Sequence, residues 1–182
     1  MSAARNVPHA RKIAVKGCSG SGKTTLAAEL ARRLDVVHVE LDALHHGPNW
    51  SAPPADEFRA RIAAVQNANP RGWVIDGNYD GKLDRLVTDA ADAVVWLDLP
   101  LWTLLGRLSS RTWRRIVAGQ ELWNGNRESW RLAVWGWNSL FPWTVRSFFR
   151  HRRDWPRRFA AHPGFVRLRS GRAVRRWLQE QK

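Results

Sequence analysis

Apolar positions along the chain follow two rhythms. Short runs at residues 12–17, 36–41, 73–75, 93–97 and 165–168 predict strands, and the unbroken Ala93-Val-Val-Trp-Leu97 fits a strand covered on both faces. Between these runs the spacing becomes helical. Leu26, Leu30 and Leu34, flanked by Ala27 and Ala31, predict a helix that buries one face, and Phe58, Ile62 and Val65 mark another. Residues 83–87 predict a short helix. A longer one follows Pro100 over residues 101–116, and two more cover 128–139 and 142–160, divided at Phe141-Pro142. Beyond Ser170-Gly171, Val174, Trp177 and Leu178 predict the last helix. Breaker-rich residues 45–54 read as a loop and residues 118–127 as a mobile connection. Together these elements predict an α/β fold with a five-stranded parallel sheet covered by helices. Residues 1–182 form one unit, and an arginine- and tryptophan-rich helical lid is inserted at 101–160.

The first strand runs directly into Gly17-Cys-Ser-Gly-Ser-Gly-Lys-Thr-Thr25, and a helix follows at once. This is the Walker A spacing in its required strand, loop and helix context, so the expected class is a P-loop NTPase fold that binds ATP. Glycines let consecutive backbone amides point at phosphate oxygens, and the helix adds its unpaired amides and positive dipole end. Gly17, Ser19, Gly20, Ser21, Gly22, Lys23, Thr24 and Thr25 are the candidate nucleotide-binding residues. Lys23 reaches the β- and γ-phosphates, and the Thr24 hydroxyl is a candidate ligand for Mg2+.

Magnesium also calls for a carboxylate, direct or through water. Asp42, Asp76 and Asp98 all end predicted strands, and the carboxyl ends of parallel strands open onto one crevice. Asp42 and Asp76 are therefore candidates for both metal binding and acceptor activation, with a strand-end cap as the alternative for each. Glu40 shares a strand face with Asp42 and either orients the acceptor or forms a structural ion pair. His38, His45 and His46 lack zinc spacing and read as acceptor-pocket contacts or as ordinary loop residues.

Charge changes the picture in the second half. Of 30 Lys and Arg against 16 Asp and Glu, residues 1–98 hold 12 of each sign, whereas residues 99–182 hold 18 bases and 4 acids. The net charge of +14 therefore sits in the second half, where the insertion also carries most of the 12 tryptophans. Arg107, Arg111 and Arg114 share one side of their helix beside Arg115. Arginine suits a phosphate clamp, so Arg107, Arg111 and Arg115 are candidate catalytic residues. Arg127 and Arg131 could enter from the far side of the lid. Residues 146–158 contain six arginines interleaved with aromatic residues. They read as an amphipathic helix with buried rings and wet arginines, with a nucleic-acid surface as the less favoured alternative. Trp130, Trp135 and Trp137 read as packing residues or a partner surface. The sole cysteine, Cys18, excludes a disulfide framework. It is either a small side chain tolerated in the loop or an oxidation-sensitive one. With no long apolar run and no secretory pattern, the expected place is the cytoplasm, away from membranes.

These residues resemble the adenylate-kinase-like P-loop kinase family, and nearly end to end its small bacterial branch labelled DNA topology modulation protein. The resemblance rests on residues 17–25, Leu41-Asp-Ala-Leu44 with Pro48-Asn-Trp50, Val74-Ile-Asp-Gly-Asn-Tyr79, residues 95–100, the Trp-rich insertion and Leu168-Arg-Ser170. It implies an acceptor region after the second strand and a lid after the fourth. It also implies a magnesium role for Asp76 and donor contacts from Arg107 and Arg111. Where adenylate kinases place Phe-Pro-Arg after Asp-Gly, this chain has Asn78-Tyr79, so an arginine contact to a monophosphate acceptor is missing. The function expected is a magnesium-dependent small-molecule or nucleotide kinase that transfers the γ-phosphoryl group of ATP to an unidentified acceptor. The alternatives are a nucleotide-regulated nucleic-acid-binding protein and an NTPase switch acting on a protein partner.

Overall fold

A computed structural model describes residues 9–130 and 139–181 of the 182-residue chain. Strand β1 (Lys12–Gly17) leads through the glycine-rich loop into helix α1 (Lys23–Leu34), and β2 (Val37–Glu40) passes directly into the short α2 (Leu41–His45). Helix α3 (Ala55–Ala68) precedes β3 (Trp73–Asp76). Two single turns, α4 (Asp80–Leu83) and α5 (Leu86–Asp89), then lead to β4 (Ala93–Leu97). Helices α6 (Leu101–Val117) and α7 (Leu140–Arg158) lie between β4 and β5 (Phe165–Leu168), and α8 (Gly171–Gln179) follows.

All five strands are parallel, in the order β2-β3-β1-β4-β5. Burial follows that order. The three inner strands are almost wholly buried along their lengths, whereas edge strands β2 and β5 are covered only in part. Side chains alternate across the sheet as a pleat requires. Ile13, Val15, Val74, Val95 and Leu97 meet Leu26, Leu30 and Leu34 of α1 together with Trp177 of α8 on one face. Ala14, Ile75, Val94 and Trp96 meet Phe58 and Ile62 of α3 and Trp155 and Phe159 on the other. The predicted fold is therefore the observed one.

Several boundaries differ from the sequence reading. The second strand ends at Glu40 because residues 41–45 wind into α2, which removes His45 from the expected loop. The helix expected at 83–87 is instead two turns broken at Asp84, whose φ of 48° is left-handed. Phe141-Pro142 does not divide two helices. Both residues lie in the first turn of α7, where a proline removes no needed intrahelical donor. The helix expected over 128–139 falls largely on residues 131–138, outside the described residues, as do Arg131, Trp135 and Trp137. Among the described residues, no helix is long and apolar enough to cross a membrane.

Candidate functional site

Residues 17–25 turn at the carboxyl end of central strand β1, so the loop opens over the sheet crevice while α1 anchors it from below. Gly20 has a φ of +81°, and a Cβ there would lie 2.5 Å from the Leu104 carbonyl oxygen, so only glycine lets the loop approach α6 this closely. Ser19, Gly20, Ser21, Gly22, Lys23, Thr24 and Thr25 all line one cleft of about 1330 Å3. Gly17 does not line it. Its N–H donates to Asn78 Oδ1 at 3.2 Å, and its carbonyl accepts from Asn78 Nδ2 at 2.6 Å.

The segment Asp76-Gly-Asn-Tyr79 braces three parts of the site at once. Asp76 is buried at the end of β3, where the Thr24 hydroxyl donates to its Oδ1 at 3.2 Å and His38 Nε2 lies 2.8 Å from its Oδ2. Gly77 has a φ of +140° and packs so tightly that a Cβ would lie 2.7 Å from Leu41 Cβ. Asn78 holds the loop entrance, and Tyr79 Oη donates to Asp42 Oδ1 at 2.6 Å. Burial, then the charge of Asp42 and the hydrogen bond to it, push the Tyr79 pKa far upward, so the phenol stays a donor. The two sequence-predicted carboxylates therefore occupy different places, Asp76 beside Thr24 and Asp42 in the cleft wall with Tyr79.

Helix α6 brings its arginines along the cleft. Arg107 Nη1 lies 3.5 Å from the Ser21 carbonyl, and Arg111, Arg114 and Arg115 follow along the lining. Arg111 is desolvated, which with neighbouring Arg115 lowers its pKa, while Glu128, Asp42 and Glu40 act in the other direction. Arg115 pairs with Glu128 at 2.8 Å, so its charge is already answered. Arg127 is 66% exposed, 3.9 Å from Glu121 and away from the cleft lining, so it does not complete the expected clamp.

Residues 118–127 are pinned rather than free. Asn126 receives the Trp50 N–H at 2.8 Å and donates to the Gly47 carbonyl at 2.9 Å, and Asn124 donates to the His46 carbonyl. Trp123 Nε1 donates to Glu40 Oε2 at 2.7 Å. Asn49 and Asn124 hold matching left-handed conformations, with φ of 54° and 55°, at the centres of two opposed 3-10 turns. Asparagine is the non-glycine residue that best tolerates this conformation, and the likeness of Pro48-Asn-Trp50 to Trp123-Asn-Gly125 is a signal that the sequence reading missed. The paired turns form a roof whose Asn49, Trp50 and Trp123 line the cleft together with Glu40 and Asp42.

Three further expectations resolve structurally. Asp98 is buried by arginines, with Arg152 Nε at 2.6 Å, Arg167 Nη2 at 2.7 Å and Arg169 Nε at 3.9 Å, and it does not line the cleft. It ties β4 to β5 and α7 and is not beside the phosphate loop's hydroxyl, unlike Asp76. Phe148, Trp155 and Phe159 of the basic segment enter the interior while Arg150, Arg153 and Arg157 stay exposed, which is the amphipathic arrangement, except that Phe149 is left 60% exposed among the arginines. Cys18 is buried, its Sγ 3.5 Å from His151 Nδ1, and burial raises its pKa to about 11, so it remains a thiol.

Known proteins carry the same architecture. A shikimate kinase from Bacteroides thetaiotaomicron matches with a TM-score of 0.55 at 17% identity, covering 92% of this chain and 93% of that one. A shikimate kinase from Acinetobacter baumannii matches at 0.52 and 18%, over 92% and 88% of the two chains. A gluconokinase from Sinorhizobium meliloti 1021 matches at 0.50 and 20%, over 97% and 91%. The uncharacterized protein YqaC of Bacillus subtilis strain 168 is 26% identical over 131 residues, 72% of each chain. The family model described as an AAA domain matches residues 13–129, more than half the chain and the whole phosphate loop, and the protein belongs to that family.

Proposed function

We propose that the protein is a kinase that transfers the γ-phosphoryl group of ATP to a small hydroxyl-bearing acceptor. One observation carries this reading: a single cleft runs from the phosphate loop, past Arg107 and Arg111, to a roofed pocket with Asp42 and Glu40 in its wall. A hydrolytic switch has no need of a cleft that extends beyond the phosphate loop to a wall of carboxylates and rings. The architecture shared with proteins named as kinases agrees with the reading without carrying it.

In this mechanism the loop amides and Lys23 hold the β- and γ-phosphates, and Arg107 and Arg111 neutralise charge spread over the transferring group. The acceptor oxygen attacks the γ-phosphorus, the bond to the β-phosphate oxygen breaks and ADP leaves. Asp42 orients the attacking hydroxyl and takes its proton, held in place by Tyr79. The Thr24 hydroxyl and the Asp76 carboxylate are hard oxygen donors in contact, a donor set that fits magnesium, which needs few protein ligands. When bound there, the ion would shield phosphate charge. Lid residues 101–160 would keep water from competing as acceptor.

Phosphorus NMR of the protein with ATP, magnesium and pooled small metabolites, beside a Lys23→Ala control, tests the proposal. A new phosphate ester formed only with intact Lys23 supports it. ADP and inorganic phosphate alone, with active control enzymes in the same pool, refute it.

A further inference from the structure

The roofed end of the cleft contains chemistry that phosphate binding does not use. Glu40 and Asp42 sit at the junction of β2 and α2, and both line the cleft. Each carboxylate has one oxygen engaged, Glu40 Oε2 by Trp123 Nε1 at 2.7 Å and Asp42 Oδ1 by Tyr79 Oη at 2.6 Å. Fixing one oxygen sets the plane of the carboxylate and presents the other to a donor on the ligand. Flat rings complete the wall. His46 stands edge-on to Trp50 with ring centroids 5.2 Å apart and stacks on Trp123 at 5.9 Å, and all three rings line the cleft.

Four arginines of α6, Arg107, Arg111, Arg114 and Arg115, line the same cleft, and Lys82 nearby donates to the Pro53 carbonyl at 3.2 Å. Arg115 is paired with Glu128 at 2.8 Å. Arg107 abuts the phosphate loop at Ser21, and Arg111 follows one helical turn later, where the transferring phosphoryl group would lie. Lys23 belongs to the loop itself. Burial lowers the His46 pKa, which leaves that ring neutral at neutral pH. A phosphate or carboxylate on the acceptor would thus meet two fixed acids and would have to share Arg111, on which those acids also act, with the transferring phosphoryl group. The repulsion that remains corresponds to a discrimination on the order of 10-fold.

We infer, on the basis of the phosphotransfer reading above, that the acceptor is a hydroxyl-rich ring compound lacking phosphate and carboxylate groups. Sugars, amino sugars and nucleosides share this chemistry. A flat face of the ring rests on Trp50 and Trp123, and hydroxyl or amine donors reach Glu40 and Asp42.

The test uses matched probes with the full-length protein, ADP and magnesium: glucose, glucosamine, gluconate and glucose 6-phosphate in one series, adenosine and AMP in another. Saturation-transfer NMR reads binding, and phosphorus NMR with ATP reads transfer. An uncharged or amine-bearing member is expected to bind about tenfold more tightly than its anionic counterparts. Glu40→Gln is expected to narrow that ratio toward one, whereas a merely structural role would weaken all probes equally. Preference for an anionic member, in binding or in transfer, overturns the inference while leaving the kinase reading intact. Preferential binding of the uncharged member without transfer supports the charge preference of the pocket, and the pooled-metabolite experiment with the Lys23→Ala control then decides the kinase reading. No binding by any member of either series overturns the inference.

Discussion

Replacing Asp98 by alanine should cost stability and leave the nucleotide site alone. The carboxylate is 3% exposed, and its two oxygens receive Arg152 Nε at 2.6 Å and Arg167 Nε and Nη2 at 2.9 and 2.7 Å. Each guanidinium also lies 4.2 Å over a ring, Phe148 for Arg152 and Trp96 for Arg167. Removing one partner of a buried ion pair costs about 3–5 kcal/mol. The arginines here are 40% and 24% exposed and can recover water, which puts the expected loss at the lower end, about 3 kcal/mol. For a chain of this size, that corresponds to a fall in Tm of roughly 6–12 °C. Urea unfolding followed by tryptophan fluorescence measures the loss, and ATP affinity measured by calorimetry should change by less than about twofold. A loss below about 1 kcal/mol would refute the anchoring role. A tenfold loss of ATP affinity in a folded variant would return Asp98 to the nucleotide site.

Four other outcomes follow from the same geometry. Gly77→Ala should destabilise by about 2 kcal/mol in urea unfolding, because the added methyl meets Leu41 and the φ of +140° disfavours any side chain. Thr24→Val should lower phosphoryl transfer roughly 100-fold and, by removing a donor to buried Asp76, cost about 1–2 kcal/mol of stability, read by coupled assay and calorimetry. Trp123→Phe keeps the ring but removes the donor to Glu40, so the acceptor KM should rise roughly 5- to 10-fold while ATP affinity stays unchanged. His151, stacked on Trp155 at 3.8 Å, has its pKa lowered from 6.5 to about 4 by burial and then by Arg150. The unfolded chain protonates first, so this contribution is complete above pH 6.5 and is lost as pH falls through 4. It amounts to at most about 3 kcal/mol, and stability measured across that window should fall less steeply in His151→Asn.

The sheet was legible because its signals are local. Unbroken apolar runs marked the buried strands, and four-residue leucine spacing marked α1. The phosphate loop was equally plain, since its glycines and Lys23-Thr24 stand at fixed offsets after a strand. What pattern could not supply was partnership across the chain. Asp76 and Asp98 both end strands, yet β3 delivers one to Thr24 while β4 delivers the other to arginines more than 50 residues away in sequence. The role of Asn78 in holding Gly17 depends on the parallel pairing of β1 with β3, which no window of sequence contains. The connection at 118–127 looked loose because its residues are turn formers. Its order comes from hydrogen bonds to residues 46–50, a contact between two turns that appear unstructured when considered separately.

The central claim is that both ends of the cleft serve one reaction, and Asp42→Asn tests it most directly. Rapid mixing of the variant with ATP, magnesium and the metabolite pool separates nucleotide binding from transfer in a single turnover. ATP affinity should stay within about twofold of the parent while the rate of phosphate ester formation falls at least roughly 100-fold. Ester formation at the parent rate would contradict it, because the pocket beneath the roof would then have no part in the chemistry at the phosphate loop.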